Sequence, residues 1–169
     1  MKLSNTMKFA VPAVVGILTL GLVTPAVFAA TTVNTQFNVS ATVSSSCTIS
    51  AGALGFGSYT GAAAAATSTV KVTCTSTTPY NVGLSAGLGK AATVTNRSMT
   101  GSASANSLGY SLTSGSATGP NWGVTIGTDT VSGTGNGAAQ SLTVYGQIAA
   151  GQIVAPDTYN DTITASVTY

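Results

Sequence analysis

From residue 33 to 43 the chain reads Val-Asn-Thr-Gln-Phe-Asn-Val-Ser-Ala-Thr-Val, with odd positions mostly apolar and every even position polar. A period of two sends alternate side chains to opposite faces, so this stretch is a strand with one face to bury. The alternation returns in residues 69–75, through Val70, Val72 and Cys74, and in residues 80–86, through Tyr80, Val82 and Leu84. Further strands follow at Leu108, Tyr110 and Leu112; at Trp122, Val124 and Ile126; at Leu142, Val144 and Ile148; and at Ile163, Ala165, Val167 and Tyr169. Each is short and bounded by Gly, Ser, Asn or Pro. With no amphipathic helical period between them, they predict an all-β antiparallel sandwich.

The intervening segments fit that class. Residues 115–121 and 132–137 are dense in Gly, Ser and Asn, which tolerate positive φ, and read as hairpin connections. The five alanines of residues 62–66 are too few to hold a helix, so they read as a small-residue loop with at most one helical turn. The leading strand stands apart by position, because it precedes the first cysteine and the rest of the sheet pattern. It completes either its own sheet or that of another molecule.

Residues 1–29 read as a secretory signal: Lys2 and Lys8, an apolar run from Phe9 to Val23, then Val27-Phe28-Ala29 as a small-residue cleavage pattern. The run of about fifteen residues is shorter than the roughly 20 of a bilayer-spanning helix. Export implies an oxidising compartment, and Cys47 and Cys74, the two cysteines, are expected to form one disulfide. Past the signal, Lys71, Lys90 and Arg97 balance Asp129, Asp157 and Asp161, leaving a net charge of zero. Nothing in that balance attracts nucleic acid or an anionic membrane, and it favours association.

Catalysis finds few candidates. The chain has no histidine and no glutamate, which excludes the common hydrolytic arrangements and leaves a thiol pair without further metal ligands. Asp157 and Asp161 flank the turn into the last strand and read as turn formers. The glycines of residues 133–137 lack the lysine of a phosphate cradle. No enzyme activity, cofactor or metal is expected. Trp122, alone between strand formers, reads as core, with a surface sugar contact as the other reading. The sequons at Asn38, Asn96 and Asn160 are expected by chance in a chain of this composition.

The order of residues 37–43 (Phe-Asn-Val-Ser-Ala-Thr-Val), Cys47-Thr48-Ile49 and residues 54–59 (Leu-Gly-Phe-Gly-Ser-Tyr) resembles the start of spore coat protein U domains, which include major pilins of archaic chaperone/usher pili. Residues 142–148 (Leu-Thr-Val-Tyr-Gly-Gln-Ile), Ala150-Gly151-Gln152, residues 159–163 (Tyr-Asn-Asp-Thr-Ile) and Tyr169 carry the likeness to the carboxyl end. Pro156-Asp157 departs from it where relatives often place a glycine before the tyrosine.

The resemblance implies an incomplete immunoglobulin-like sandwich completed by a donor strand from a neighbouring subunit. It divides the chain into a signal (1–29), a donor extension and linker (30–46) and a pilin domain (47–169). Val33, Thr35, Phe37, Val39, Ala41 and Val43 then face a partner's groove, with Phe37 as anchor. It also implies a periplasmic chaperone, an outer-membrane usher and a tip adhesin as partners, and a homopolymer at the cell surface for adhesion and biofilm formation. A self-complemented coat or secreted protein, its leading strand paired in cis, is the alternative from the same residues; a glycan-binding adhesin built on Trp122 is another.

Overall fold

The computed structural model describes residues 28–169, so most of the segment read as a signal lies outside the described residues. Residues 28–40 belong to one compact unit and Ala41–Tyr169 to another. Residues 28–46 form no strand.

The second unit holds nine strands: β1 (Cys47–Ala51), β2 (Ala64–Cys74), β3 (Pro79–Leu84), β4 (Arg97–Gly101), β5 (Ser107–Ser114), β6 (Val131–Thr134), β7 (Ala139–Ile148), β8 (Tyr159–Asn160) and β9 (Ala165–Thr168). They form a six-stranded sheet in the order β1-β2-β7-β5-β4-β8 and a three-stranded sheet β6-β3-β9, with every pairing antiparallel. The all-β expectation holds. Between the sheets lie the alternating apolar residues the pattern marked, among them Val70, Val72, Val82, Leu84, Leu112 and Val144. The backbone of the larger sheet is the β2–β7 pair, ten residue pairs from Ala64↔Ile148 to Thr73↔Ala139.

Four expectations need correction. The strand read at residues 33–43 does not form in the single chain, where that stretch has no ladder partner and its apolar face is exposed. The alanine run is only partly a loop: Ala62 and Ala63 precede β2, but Ala64–Ala66 open it, because pairing with residues 146–148 of β7 outweighs a weak local preference. The glycine-rich stretch at residues 132–137 is only partly a connection, since Val131–Thr134 form β6 against β3. Trp122, Val124 and Ile126 do not make a strand. Asp129 folds that segment into a turn: its carbonyl accepts the Gly123 N–H at 2.8 Å and its Oδ1 the Thr125 N–H at 2.6 Å, and Val124 and Ile126 are left half-exposed. Trp122 is nonetheless core, at 0% exposure, with Nε1–H donated to the Val82 carbonyl. No surface sugar contact is open to it.

Arg97 had no signal in the pattern and is the hub of the interior. Its side chain is 0% exposed and donates to four backbone carbonyls, those of Leu84, Ser85, Val94 and Trp122, at 2.6–3.0 Å. A buried cation is tolerable only when hydrogen-bonded, and these carbonyls tie β4 to β3 and to the Trp122 loop. Burial lowers the guanidinium pKa from its ordinary value, opposed by the charges of Tyr110, Asp129 and Asp161.

Candidate strand-acceptor groove

Four strands end the two sheets with one side unpaired, β1 and β8 in the larger and β6 and β9 in the smaller, and of these β1 lies on one side of the opening and β8 and β9 on the other. Which residues face each open side follows from the hydrogen bonds on the closed side. Thr75 N–H donates to the Ser46 carbonyl and Gly52 N–H to the Thr69 carbonyl, so the even residues of β1 address β2. Backbone direction alternates along a strand, which turns the amides and carbonyls of Cys47, Ile49 and Ala51 to the open side.

The carboxyl end alternates in the same way. Ser102 N–H donates to the Thr158 carbonyl and Ser85 N–H to the Thr164 carbonyl, so even residues address β4 and then β3. The odd ones, from Tyr159 to Val167, address the open side. Their side chains point inward, because half-buried and exposed positions alternate without a break over residues 159–168. Thus β8, the link at 161–164 and β9 act as one long strand with a single bare edge.

An open groove of about 440 Å³ lies between residues 51–56 and Tyr159–Ala165, while toward the Thr168 end β1 and β9 approach each other. One wall is Ala51–Phe56, and the other runs from Tyr159 to Ala165. Its floor is the interior face of the sandwich: Val70, Val144, Leu112, Tyr110 and Met99, with Leu84 from the smaller sheet. Leu54 and Phe56 fold over β7 at Gly146, where a Cβ would come within 2.9 Å of both side chains; the glycine lets that wall close down. Phe56 meets Tyr110 edge to face, with centroids 6.1 Å apart.

One polar group sits among the inward positions of the second wall. Asp161 accepts the Tyr110 hydroxyl (2.6 Å) on one oxygen and the N–H groups of Leu88 and Thr162 (2.7 Å each) on the other. Gly87, at φ +88°, makes room for it, since a Cβ there would overlap the carboxylate. Burial, and then Asp161, push the Tyr110 hydroxyl above its ordinary pKa. Asp157 accepts from the Ser104 N–H and hydroxyl, the Ala103 N–H and the Thr158 N–H, which hold its carboxyl down at about 2. Both aspartates form turns, as expected, but they also fasten distant loops. Gln152, part of the likeness at the carboxyl end, clamps both backbone groups of Gly109 through its side-chain amide.

The residues expected at the site divide in two. Cys47 and Cys74 form the disulfide, joining the first residue of β1 to the last of β2 with Cα atoms 4.1 Å apart. Val33, Thr35, Phe37, Val39, Ala41 and Val43 are all exposed, Phe37 at 85% and Val33 at 92%. These apolar side chains have no cover of their own.

Three likenesses bear on this arrangement. The Spore Coat Protein U domain matches residues 33–166, taking in both the alternating extension and the groove. Protein U of Myxococcus xanthus is 34% identical over 181 residues, covering 98% of this chain and 99% of that protein. Among solved structures, similarity extends to a chain of the CsuC–CsuE chaperone–tip adhesion subunit pre-assembly complex from archaic chaperone-usher Csu pili of Acinetobacter baumannii. The TM-score is 0.58 at 25% identity, over 76% of this chain and 41% of that one. Because the domain spans the extension, both edges and the groove, and a relative matches at full length, the chain belongs to the Spore Coat Protein U domain family.

Proposed function

We propose that this protein is a subunit of a chaperone-usher pilus, and that copies polymerise by passing the extension at residues 30–46 of one into the groove of the next. A periplasmic chaperone holds the groove until an outer-membrane usher exchanges it for that strand, and the fibre at the cell surface serves adhesion and biofilm formation, with a separate tip adhesin. The signal at residues 1–29 starts that route.

The observation that carries this reading is the match in kind between what is exposed and what is open. An eleven-residue stretch offers an exposed face of Val, Thr, Phe and Ala, and the domain offers an apolar floor flanked by bare backbone edges. Strand addition satisfies both at once: the ladder bonds the bare edges, and the alternate side chains fill the groove. Full burial of Val33, Phe37, Val39 and Val43 at roughly 1.5 to 3 kcal/mol each contributes about 6 to 12 kcal/mol before ordering costs. A slip of one residue would turn Asn34, Gln36 and Asn38 inward, so the facing is fixed. The test is a denaturing gel of unboiled protein. A ladder of oligomers that collapses to monomer when Phe37 becomes Asp supports the proposal; monomer alone in the parent chain contradicts it and favours a self-complemented protein.

A further inference from the structure

We infer that the extension enters a second copy antiparallel to β9 in the single register that sets Phe37 against Ala165, with Ala165 and Asp161 selecting that register. This rests on the groove being a strand acceptor. The inward positions along the acceptor edge are Tyr159, Asp161, Ile163, Ala165 and Val167, and Tyr169 continues their parity. Only Ala165 is small and only Asp161 is ionic. The donor has its own contrasts: Phe37 is the largest inward residue and Ala41 the smallest.

Directly opposed residues in an antiparallel pair put their side chains on one face, so their sizes must fit. With Phe37 opposite Ala165, Ala41 falls opposite Asp161, Val39 opposite Ile163, Val43 opposite Tyr159 and Thr35 opposite Val167. The largest donor side chain meets the smallest acceptor, and the carboxylate meets a single methyl group. A slip of two residues loses both fits. In one direction Phe37 meets Val167 and Val43 the carboxylate; in the other Phe37 meets Ile163 and Val39 the carboxylate. Parallel entry with Phe37 on Ala165 sets Val33 against Asp161.

The register also decides which copy can supply the strand. Cys47 lies at the Thr168 end of the groove: it is bonded to Cys74, the short connection at 75–78 leads into β3, and Asn81 there pairs with Thr168. Antiparallel entry places Val43 at the far end, beside Tyr159. The path from there to Thr168 is about 30 Å at roughly 3.3 Å per residue. The four steps from Val43 to Cys47 span at most about 14 Å. The chain therefore cannot fill its own groove in this register.

Cross-linking reads the register directly. Gln36 comes opposite Ser166 on the solvent face, as a pair that makes no ladder bonds, with Cα atoms about 4.5 Å apart and within disulfide reach. Full-length mature Gln36→Cys/Ser166→Cys is expected to give interchain cross-links on mild oxidation, while Gln36→Cys with Thr164→Cys or Thr168→Cys gives none. Interchain cross-links at either of the latter, or at none of the three in a chain that polymerises, overturn the register and leave strand exchange standing. An intrachain Gln36–Thr164 link in a chain that stays monomeric overturns both. As a second measurement, Ala165→Phe should abolish the oligomer ladder and Phe37→Ala in the same chain should restore it. Failure to restore it in a folded double variant removes Ala165 as the opposing residue.

Discussion

Residues 33–43 and residues 159–169 carry the same pattern, inward-type side chains at odd positions and polar ones at even, yet they meet different fates. The carboxyl-terminal run is fastened along its even side to β4 and β3, and buries its odd side chains partway. The amino-terminal run has no ladder, and its apolar residues are exposed. Period two specifies a strand with one face to bury; it does not name the sheet. What separates the two stretches is supply, since the carboxyl run finds an edge within its own domain and leaves one edge over.

If the domain is a preformed acceptor and the extension only a ligand for it, changes in the two regions should differ in kind. The largest effect is expected in the acceptor's interior. Arg97→Ala strands four carbonyls and should cost about 3 to 5 kcal/mol in chemical denaturation of the monomer, by loss of charge-assisted hydrogen bonds. Next comes the disulfide, which closes a separation of 27 residues and fixes the groove wall β1 to β2. Cys47→Ala with Cys74→Ala should cost about 3 to 4 kcal/mol in the chain-entropy account, read as a lower melting temperature.

Smaller still is the anchor of the loop before β8. Asp157 has its folded pKa depressed to about 2 from an ordinary 3.8, so its contribution is complete above the unfolded value and is lost as pH falls through about 2. The melting temperatures of the parent and Asp157→Asn should therefore differ at pH 6 and converge as pH drops from about 4 toward 2. A gap that stays constant over that window would detach the carboxylate from the effect. At the bottom of the scale, Phe37→Asp should leave monomer stability within about 0.5 kcal/mol of the parent while abolishing polymers. A large loss of monomer stability would mean that the extension is already part of its own core.

The sandwich was legible because its central strands bury one face. Val70, Val72 and Cys74, or Leu108, Tyr110 and Leu112, alternate as the sheet requires. Strands with little apolar content escaped: β4 begins with a buried arginine, and β6 reads Val-Ser-Gly-Thr. Their pairing comes from neighbours rather than from their own side chains. At Trp122, Val124 and Ile126 the alternation was real but a local carboxylate won, since Asp129 captures the backbone around Gly123. For the site, the disulfide and the exposed alternating face of residues 33–43 could be read from residue types and order. The groove was expected only from the family resemblance, and its lining was not legible, because it is formed by residues far apart in sequence.

Amide hydrogen exchange, followed residue by residue in monomer and polymer, tests the central claim most directly. The odd amides of the acceptor edge, at Ile163, Ala165 and Val167, should exchange rapidly in the monomer and become protected in the polymer, together with those of Phe37, Val39 and Ala41. The Ser166 and Thr168 amides, already turned to β3, should change little. Equal protection of Ile163, Ala165 and Val167 in the two forms would contradict the account.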